Sequence, residues 1–305
     1  MENIHILVAP VIVAFGWIIN SKPQILVASR VIGLITFKVL LPSLLFKNIY
    51  LKGVSLDSSV AILLCYYIPV FVLFICIALI TRTHSMFSVA PLSGVYSNTL
   101  MVGIPVIALQ FGENYIGHAM AIVSVHSMLL FTAYYFLRAR RASTVVSLKD
   151  ILLVLRDTAK NPIIFSIIIA LVAFYTDYEI DNRIMFTISI FSYISVPCAL
   201  YMLGASLRKA PITSKNYLFI SIATKLFALP MLVSILCIYV FKLSFDVCVV
   251  LIVLASCPTG INVNTISADD NFSASFSSSA IVYSTLLSFL SIPLWLLFIE
   301  LNFRT

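Results

Sequence analysis

Residues 255–265 read Ala255-Ser256-Cys257-Pro258-Thr259-Gly260-Ile261-Asn262-Val263-Asn264-Thr265. The run interrupts an apolar stretch with a proline, a glycine and two asparagines. A counterpart lies in the first half, where Ser93-Gly94-Val95-Tyr96-Ser97-Asn98-Thr99 leads into Gly103-Ile104-Pro105. Proline inside a helix removes a backbone hydrogen bond and clashes with the preceding turn. In a bilayer such a break is tolerated where it is buried in protein or lines a cavity. Working outward, Pro42, Pro69 and Pro105 lie in apolar stretches of the first half, and Pro197, Pro230 and Pro258 follow at offsets of 155, 161 and 153. Helix breaks at corresponding places in two halves are the pattern of a transporter with an internal repeat and a binding site near the midplane.

Composition places the chain in a membrane. Of 305 residues, 61% are hydrophobic and 10% charged, against about 25% charged in soluble domains. Mean hydropathy is +1.09. Ten apolar segments are expected at about 4–20, 31–50, 59–81, 90–110, 117–138, 161–176, 185–207, 217–241, 246–266 and 274–299, each near the length that crosses a bilayer. The start, Met1-Glu2-Asn3, has no basic region of the kind that opens a signal peptide. Cys65, Cys76, Cys198, Cys237, Cys248 and Cys257 all lie in apolar runs without C-x-x-C spacing, so they read as small hydrophobes rather than a disulfide or metal framework.

The formal net charge of +7 reports topology rather than nucleic-acid binding. With the N-terminus outside, the inner loops hold twelve Lys and Arg residues and the outer segments five. Arg138, Arg140, Arg141, Lys149, Arg156 and Lys160 in the central loop dominate the count. The positive-inside bias therefore puts both termini outside and the 139–160 loop in the cytoplasm of a multi-pass cell-membrane protein. Five spans per half is an odd number, so the second half enters the membrane inverted. The expected organisation is a first repeat over 1–142, a linker over 143–160 and an inverted repeat over 161–305. Within the linker, Ser147 to Asp150 resembles a capping box, and Ile151, Leu152, Leu155 and Arg156 suggest a short amphipathic helix on the inner surface.

The polar residues inside the spans are the candidates for chemistry. Ser97, Asn98, Thr99, Gly103 and Pro105, with Pro258, Thr259, Asn262 and Asn264, are expected to bind substrate where the fourth and ninth spans cross. Freed amides and half-helix N-termini favour an anion there. The bland reading of the same residues is helix packing, which also uses Gly, Ser, Thr and Asn. Lys225, midway along the eighth span, is a candidate for charge compensation or coupling, against snorkelling to the inner surface. Lys38 is nearer a span end and reads as a snorkelling residue. His126 is a candidate proton carrier, against a bonded core histidine. Asp269 and Asp270 read as a solvated turn.

At these residues the chain resembles the auxin efflux carrier family. Ser97-Asn98-Thr99 with Gly103-Ile104-Pro105 and Phe111-Gly112 is similar to its fourth-helix signature. Ala255 to Ala268, Ser284 to Ser288 and Ile292 to Trp295 are similar to its ninth and tenth helices. Val196 to Leu207 resembles its seventh helix and Leu40 to Phe46 its second. The fourth span lacks the second Asn and Pro of the plant carriers, and with its short central loop the chain resembles the bacterial members. The resemblance implies an all-α fold of ten transmembrane helices in two inverted five-helix repeats, related to that of bile acid:sodium symporters. It also implies broken crossover helices four and nine, and a mobile transport domain working against a scaffold. The implied function is efflux or exchange of a small organic anion such as a carboxylate, an auxin-like acid or an amino acid.

An enzyme is not expected, because the spans hold neither paired aspartates nor H-E-x-x-H. A channel or receptor is the alternative class, since polar broken helices also line pores. No cofactor is expected. No span carries an acidic residue well inside it, so coupling to sodium, to protons or to neither stays open, as does assembly into a homodimer.

Overall fold

The computed structural model describes residues 4–20, 25–53, 59–82, 89–141, 161–207, 214–267 and 271–303. The expected amphipathic linker helix and Asp269-Asp270 lie outside the described residues. In chain order the helices are α1 (Ile4–Ile19), α2 (Ile25–Ile35), α3 (Leu41–Lys52), α4 (Ser59–Thr81), α5 (Val89–Val95), α6 (Ile104–Gln110) and α7 (Ile116–Arg141). The second half holds α8 (Pro162–Tyr175), α9 (Asn182–Ser206), α10 (Lys215–Ala223), α11 (Leu229–Ile235), α12 (Phe245–Ser256), α13 (Asn262–Ile266) and α14 (Asn271–Phe303). Among the described residues there is no strand, only one isolated antiparallel bridge between Ser97 and Thr259. Among the described residues, six helical stretches are long and apolar enough to cross a membrane: Val27–Leu51, Val60–Thr81, Glu113–Ala139, Asn182–Ser206, Lys215–Val240 and Asn271–Asn302. Four shorter apolar helices accompany them.

The prolines act in two ways. Pro42, Pro105 and Pro230 each occupy the second position of a helix that follows a five-residue π-helical turn, at Thr36–Leu40, Thr99–Gly103 and Thr224–Ala228. The amides of Leu41 and Leu229 reach back five residues, to the Thr36 and Thr224 carbonyls. The wider turn accommodates a ring that would strike the carbonyl four residues back. At Pro230 that carbonyl is Leu226 O, and the Trp295 indole N–H donates to it at 2.8 Å. Pro69 and Pro197, by contrast, lie inside the continuous helices α4 and α9. The expectation of a break at every paired proline is therefore corrected. A proline deletes one intrahelical bond, and a long apolar helix continues through that loss.

The chain divides into two compact units. The first draws on Met1–Leu56, Leu100–Met120 and Asp157–Arg208. In it α1 packs on α9, and small residues set their spacing. A Cβ at Gly204 would overlap the Val13 carbonyl, and one at Gly16 would overlap that of Tyr201. Such close backbone approach is how apolar helices associate without a hydrophobic driving force. Both α8 and α9 have sequence-encoded starts. Asn161 Oδ1 accepts from the Ile163 amide at 2.9 Å, with Pro162 at the first helical position, and Asp181 Oδ1 accepts from the Arg183 amide at 2.8 Å. Gly53 ends α3 at φ +67°, with the Phe174 ring against the face where a Cβ would sit. Lys47 pairs with Glu113 at 2.9 Å and lies over the Tyr193 ring.

The second unit draws on Asp57–Thr99, Ala121–Arg156 and Lys209–Thr305. Its centre is built by the two helices that precede the broken segments. Every residue of α5 is buried, and so is every residue of α12 from Val247 to Ser256. A helix that is apolar all round belongs in an interior. The outer helices face the other way. On α4, Val60, Leu64, Ile68, Val72, Ile75 and Leu79 are exposed, as are Leu286, Leu290, Leu294, Leu297 and Leu301 on α14. Apolar ridges of this length would be a liability in water and suit a lipid contact.

Candidate substrate site

Two helices end in the middle of the second unit, and the residues that follow them pair with each other. The Asn98 amide donates to the Pro258 carbonyl at 2.9 Å, and the Gly260 amide donates to the Tyr96 carbonyl at 2.9 Å. This two-bond antiparallel bridge joins chain segments about 160 residues apart. Gly260 is required by its neighbours, because a Cβ there would press on the Tyr96 ring and the Ser97 carbonyl.

The backbone accounting at the two ends follows one scheme. In an unbroken helix the Ser97 amide would donate to the Ser93 carbonyl, four residues back. Here the Ser97 amide donates instead to His126 Nε2 at 3.0 Å, and the Ser93 carbonyl accepts from Thr259 Oγ1 at 2.8 Å. At the second end the Thr259 amide would serve the Ala255 carbonyl. It donates instead to Ser284 Oγ at 3.0 Å, and the Ala255 carbonyl accepts from Lys225 Nζ at 2.6 Å. Each break thus exchanges one intrahelical bond for two bonds to side chains. That satisfies groups whose burial unpaired costs about 1–3 kcal/mol apiece. Pro258 has no amide to give Leu254, and Tyr66 Oη lies 3.5 Å from the Leu254 carbonyl while donating to Ser97 Oγ at 2.9 Å.

The environment of His126 fixes its tautomer. A backbone amide can only donate, so Nε2 is an acceptor and the ring proton sits on Nδ1. Nδ1 is 3.3 Å from Tyr67 Oη, which itself donates to the Ile122 carbonyl at 3.2 Å. His126 is buried and packs against Tyr96, with ring centroids 4.7 Å apart. In this arrangement it holds the first break in place. Tyr96 Oη lies 2.7 Å from Ser127 Oγ and accepts from Asn262 Nδ2 at 3.3 Å, so one phenol ties the first break to the residue that opens α13.

The structure therefore brings Ser97, Asn98, Thr259, Pro258 and His126 together directly; Asn262 joins them through Tyr96, and Lys225 bonds the carbonyl of Ala255, just ahead of the second break. Thr99 adjoins them, its amide donating to the Ser97 carbonyl at 2.9 Å. Asn264 is engaged elsewhere, its Oδ1 accepting from the Ser277 and Ser278 hydroxyls of α14 at 2.9 and 3.1 Å. Gly103 and Pro105 belong to the first unit. The first break also lies at Tyr96–Asn98, well ahead of Pro105, so Pro105 is not what opens it. The segment after the second break is a helix of only five residues, Asn262–Ile266, too short for a sizeable dipole at its N-terminus. Lys225 does not snorkel, since its side chain is 0% exposed, whereas Lys38 is exposed. Tyr66 and Tyr67 were not singled out from the sequence, and Ser284 entered only as part of the family resemblance. The usable signal was that a tyrosine hydroxyl in an apolar span needs a partner.

Broken, mutually paired helices among helices with apolar outer faces are the features of a polytopic membrane protein. The comparison with protein families agrees. A family model described as "Membrane transport protein" matches residues 4–296. The chain belongs to that family, the auxin efflux carriers. A search of curated proteins returns no match.

Proposed function

We propose that the chain is a secondary carrier that moves a small organic anion across the cell membrane by alternating access. In this reading the chain crosses the bilayer ten times, in two inverted sets of five, with both termini outside. The substrate binds beside the bridge between the two breaks. Asn98, Thr99 and Asn262 supply side-chain contacts. The unit that carries both breaks moves as a body and presents the site to one side and then to the other.

The observation that carries the proposal is the reciprocal pairing of Asn98 with Pro258 and of Gly260 with Tyr96. Backbone that leaves the helix at membrane depth is expensive unless its groups are satisfied. Here two separate breaks satisfy each other, which lets the irregular backbone stay paired as the unit that carries it moves. A helix bundle with only a packing role has no need of such a pair.

The test is counterflow in proteoliposomes with radiolabelled carboxylates, amino acids and indole acids. Saturable, trans-stimulated exchange of an acid is expected. Asn98→Ala and Asn262→Ala proteins that insert normally should exchange it more slowly. Flux that never saturates and shows no trans-stimulation would mean a pore. Full-rate exchange by both variants would remove these asparagines from the site.

A further inference from the structure

The two breaks solve the same problem with different chemistry. At the first, the stranded Ser93 carbonyl accepts from a neutral hydroxyl, Thr259 Oγ1. At the second, the stranded Ala255 carbonyl accepts from Nζ of Lys225, a residue that is 0% exposed. Burying an ammonium is far more costly than burying a hydroxyl. A cap alone does not require it.

Among the described residues the ion pair is Lys47 with Glu113, in the first unit, and no carboxylate meets Lys225. The partial negative charge at the end of α12 offsets about half of one elementary charge. The position of Nζ, at the C-terminal carbonyls of a discontinuous helix, is where cation-coupled carriers hold their ion. The placement is built in. Lys225 sits in the π-helical turn Thr224–Ala228, and that turn is held by Pro230 on one side and by the Trp295 bond to Leu226 O on the other.

We propose that Lys225 is a tethered cation which stands in place of a coupling ion and neutralises a monovalent carboxylate during translocation. The inference rests on the carrier reading above and narrows its substrate to monocarboxylates. With a carboxylate bound, the moving unit crosses the membrane field with no net charge from this pair. Empty, it returns carrying one positive charge. Exchange, in which both directions are loaded, is then insensitive to membrane potential. Net flux is sensitive to it, and neither sodium nor a proton gradient drives accumulation.

The experiment uses the full chain in sealed proteoliposomes, with radiolabelled benzoate, lactate, indole acetate and succinate as probes. Potassium diffusion potentials of either sign are imposed, and sodium and pH gradients are imposed separately. Wild-type counterflow of a monocarboxylate should be unchanged by a potential of about 100 mV, while its net efflux changes. In Lys225→Gln the loaded step carries the substrate's own charge. Its counterflow should slow about threefold under the same potential, and half-saturation should rise about tenfold. Lys225→Arg should restore insensitivity to potential. Wild-type counterflow that responds to potential, preference for succinate, or uphill accumulation driven by sodium or protons overturns the inference and leaves the carrier reading standing. Lys225→Gln counterflow as insensitive as wild type reduces Lys225 to a helix cap and also overturns it. Absence of counterflow for every probe in the wild-type protein overturns the carrier reading, and this inference with it.

Discussion

Thr259→Val tests whether the bridge between the breaks is held by the side-chain exchange described above. The substitution keeps the branched shape and removes one hydroxyl. Thr259 is fully buried, and its Oγ1 is the donor to the Ser93 carbonyl, whose intrahelical partner has been diverted to His126. The loss combines a hydrogen bond of about 1 kcal/mol with the stranding of a buried carbonyl, together about 2 kcal/mol. That corresponds to about a thirtyfold shift in the equilibrium between the held and released arrangements. Thr285→Val on α14 is the internal control. Thr285 is equally buried, but its Oγ1 has no partner among the described residues. Removing an unsatisfied hydroxyl should be neutral or stabilising.

The assay is thermal inactivation in mild detergent, read by loss of the monodisperse species on size-exclusion chromatography after heating. The expected order of midpoints is Thr259→Val lowest, wild type next, and Thr285→Val equal to or above wild type. Both changes remove the same atom from fully buried positions, so differences in detergent binding and volume largely cancel. Equal midpoints for the two variants would refute the backbone accounting at the breaks.

Three further outcomes follow from particular contacts. His126→Leu and Ser284→Ala strand the Ser97 and Thr259 amides respectively, and each should lower the inactivation midpoint by an amount similar to Thr259→Val, with His126→Gln recovering part of the loss through its side-chain carbonyl. Asn264→Ala removes the acceptor of two serine hydroxyls on α14; it should lower the midpoint while leaving half-saturation for substrate unchanged in counterflow. Gly204→Leu forces a side chain against the Val13 backbone; it should separate α1 from α9 and sharply reduce the yield of monodisperse protein after extraction, a loss readable on the same column.

What the sequence made legible divides along physical lines. Hydropathy marks the helices well, because each must carry enough apolar residues to be stable where it lies. The expected segment at 59–81 coincides with α4, and the one at 185–207 differs from α9 by only a few residues. Prolines were a less faithful guide. Pro69 and Pro197 sit in unbroken helices, and Pro105 follows a wide turn rather than the break itself. A better local signal was present: a threonine stands six residues ahead of Pro42, Pro105 and Pro230, and in each case it begins the π-helical turn. The pairing of the breaks is not encoded locally. Tyr96–Asn98 leaves the helix because Pro258, Thr259 and His126 take over its hydrogen bonds, and Cys257–Gly260 leaves because Tyr96, Asn98, Ser284 and Lys225 take over the rest. Pro258 starts the second break, but each segment's freed groups are satisfied by the other. A pairing between residues so far apart in the chain cannot be read from either stretch alone, although the asparagines, the glycine and the buried lysine mark where to look for it.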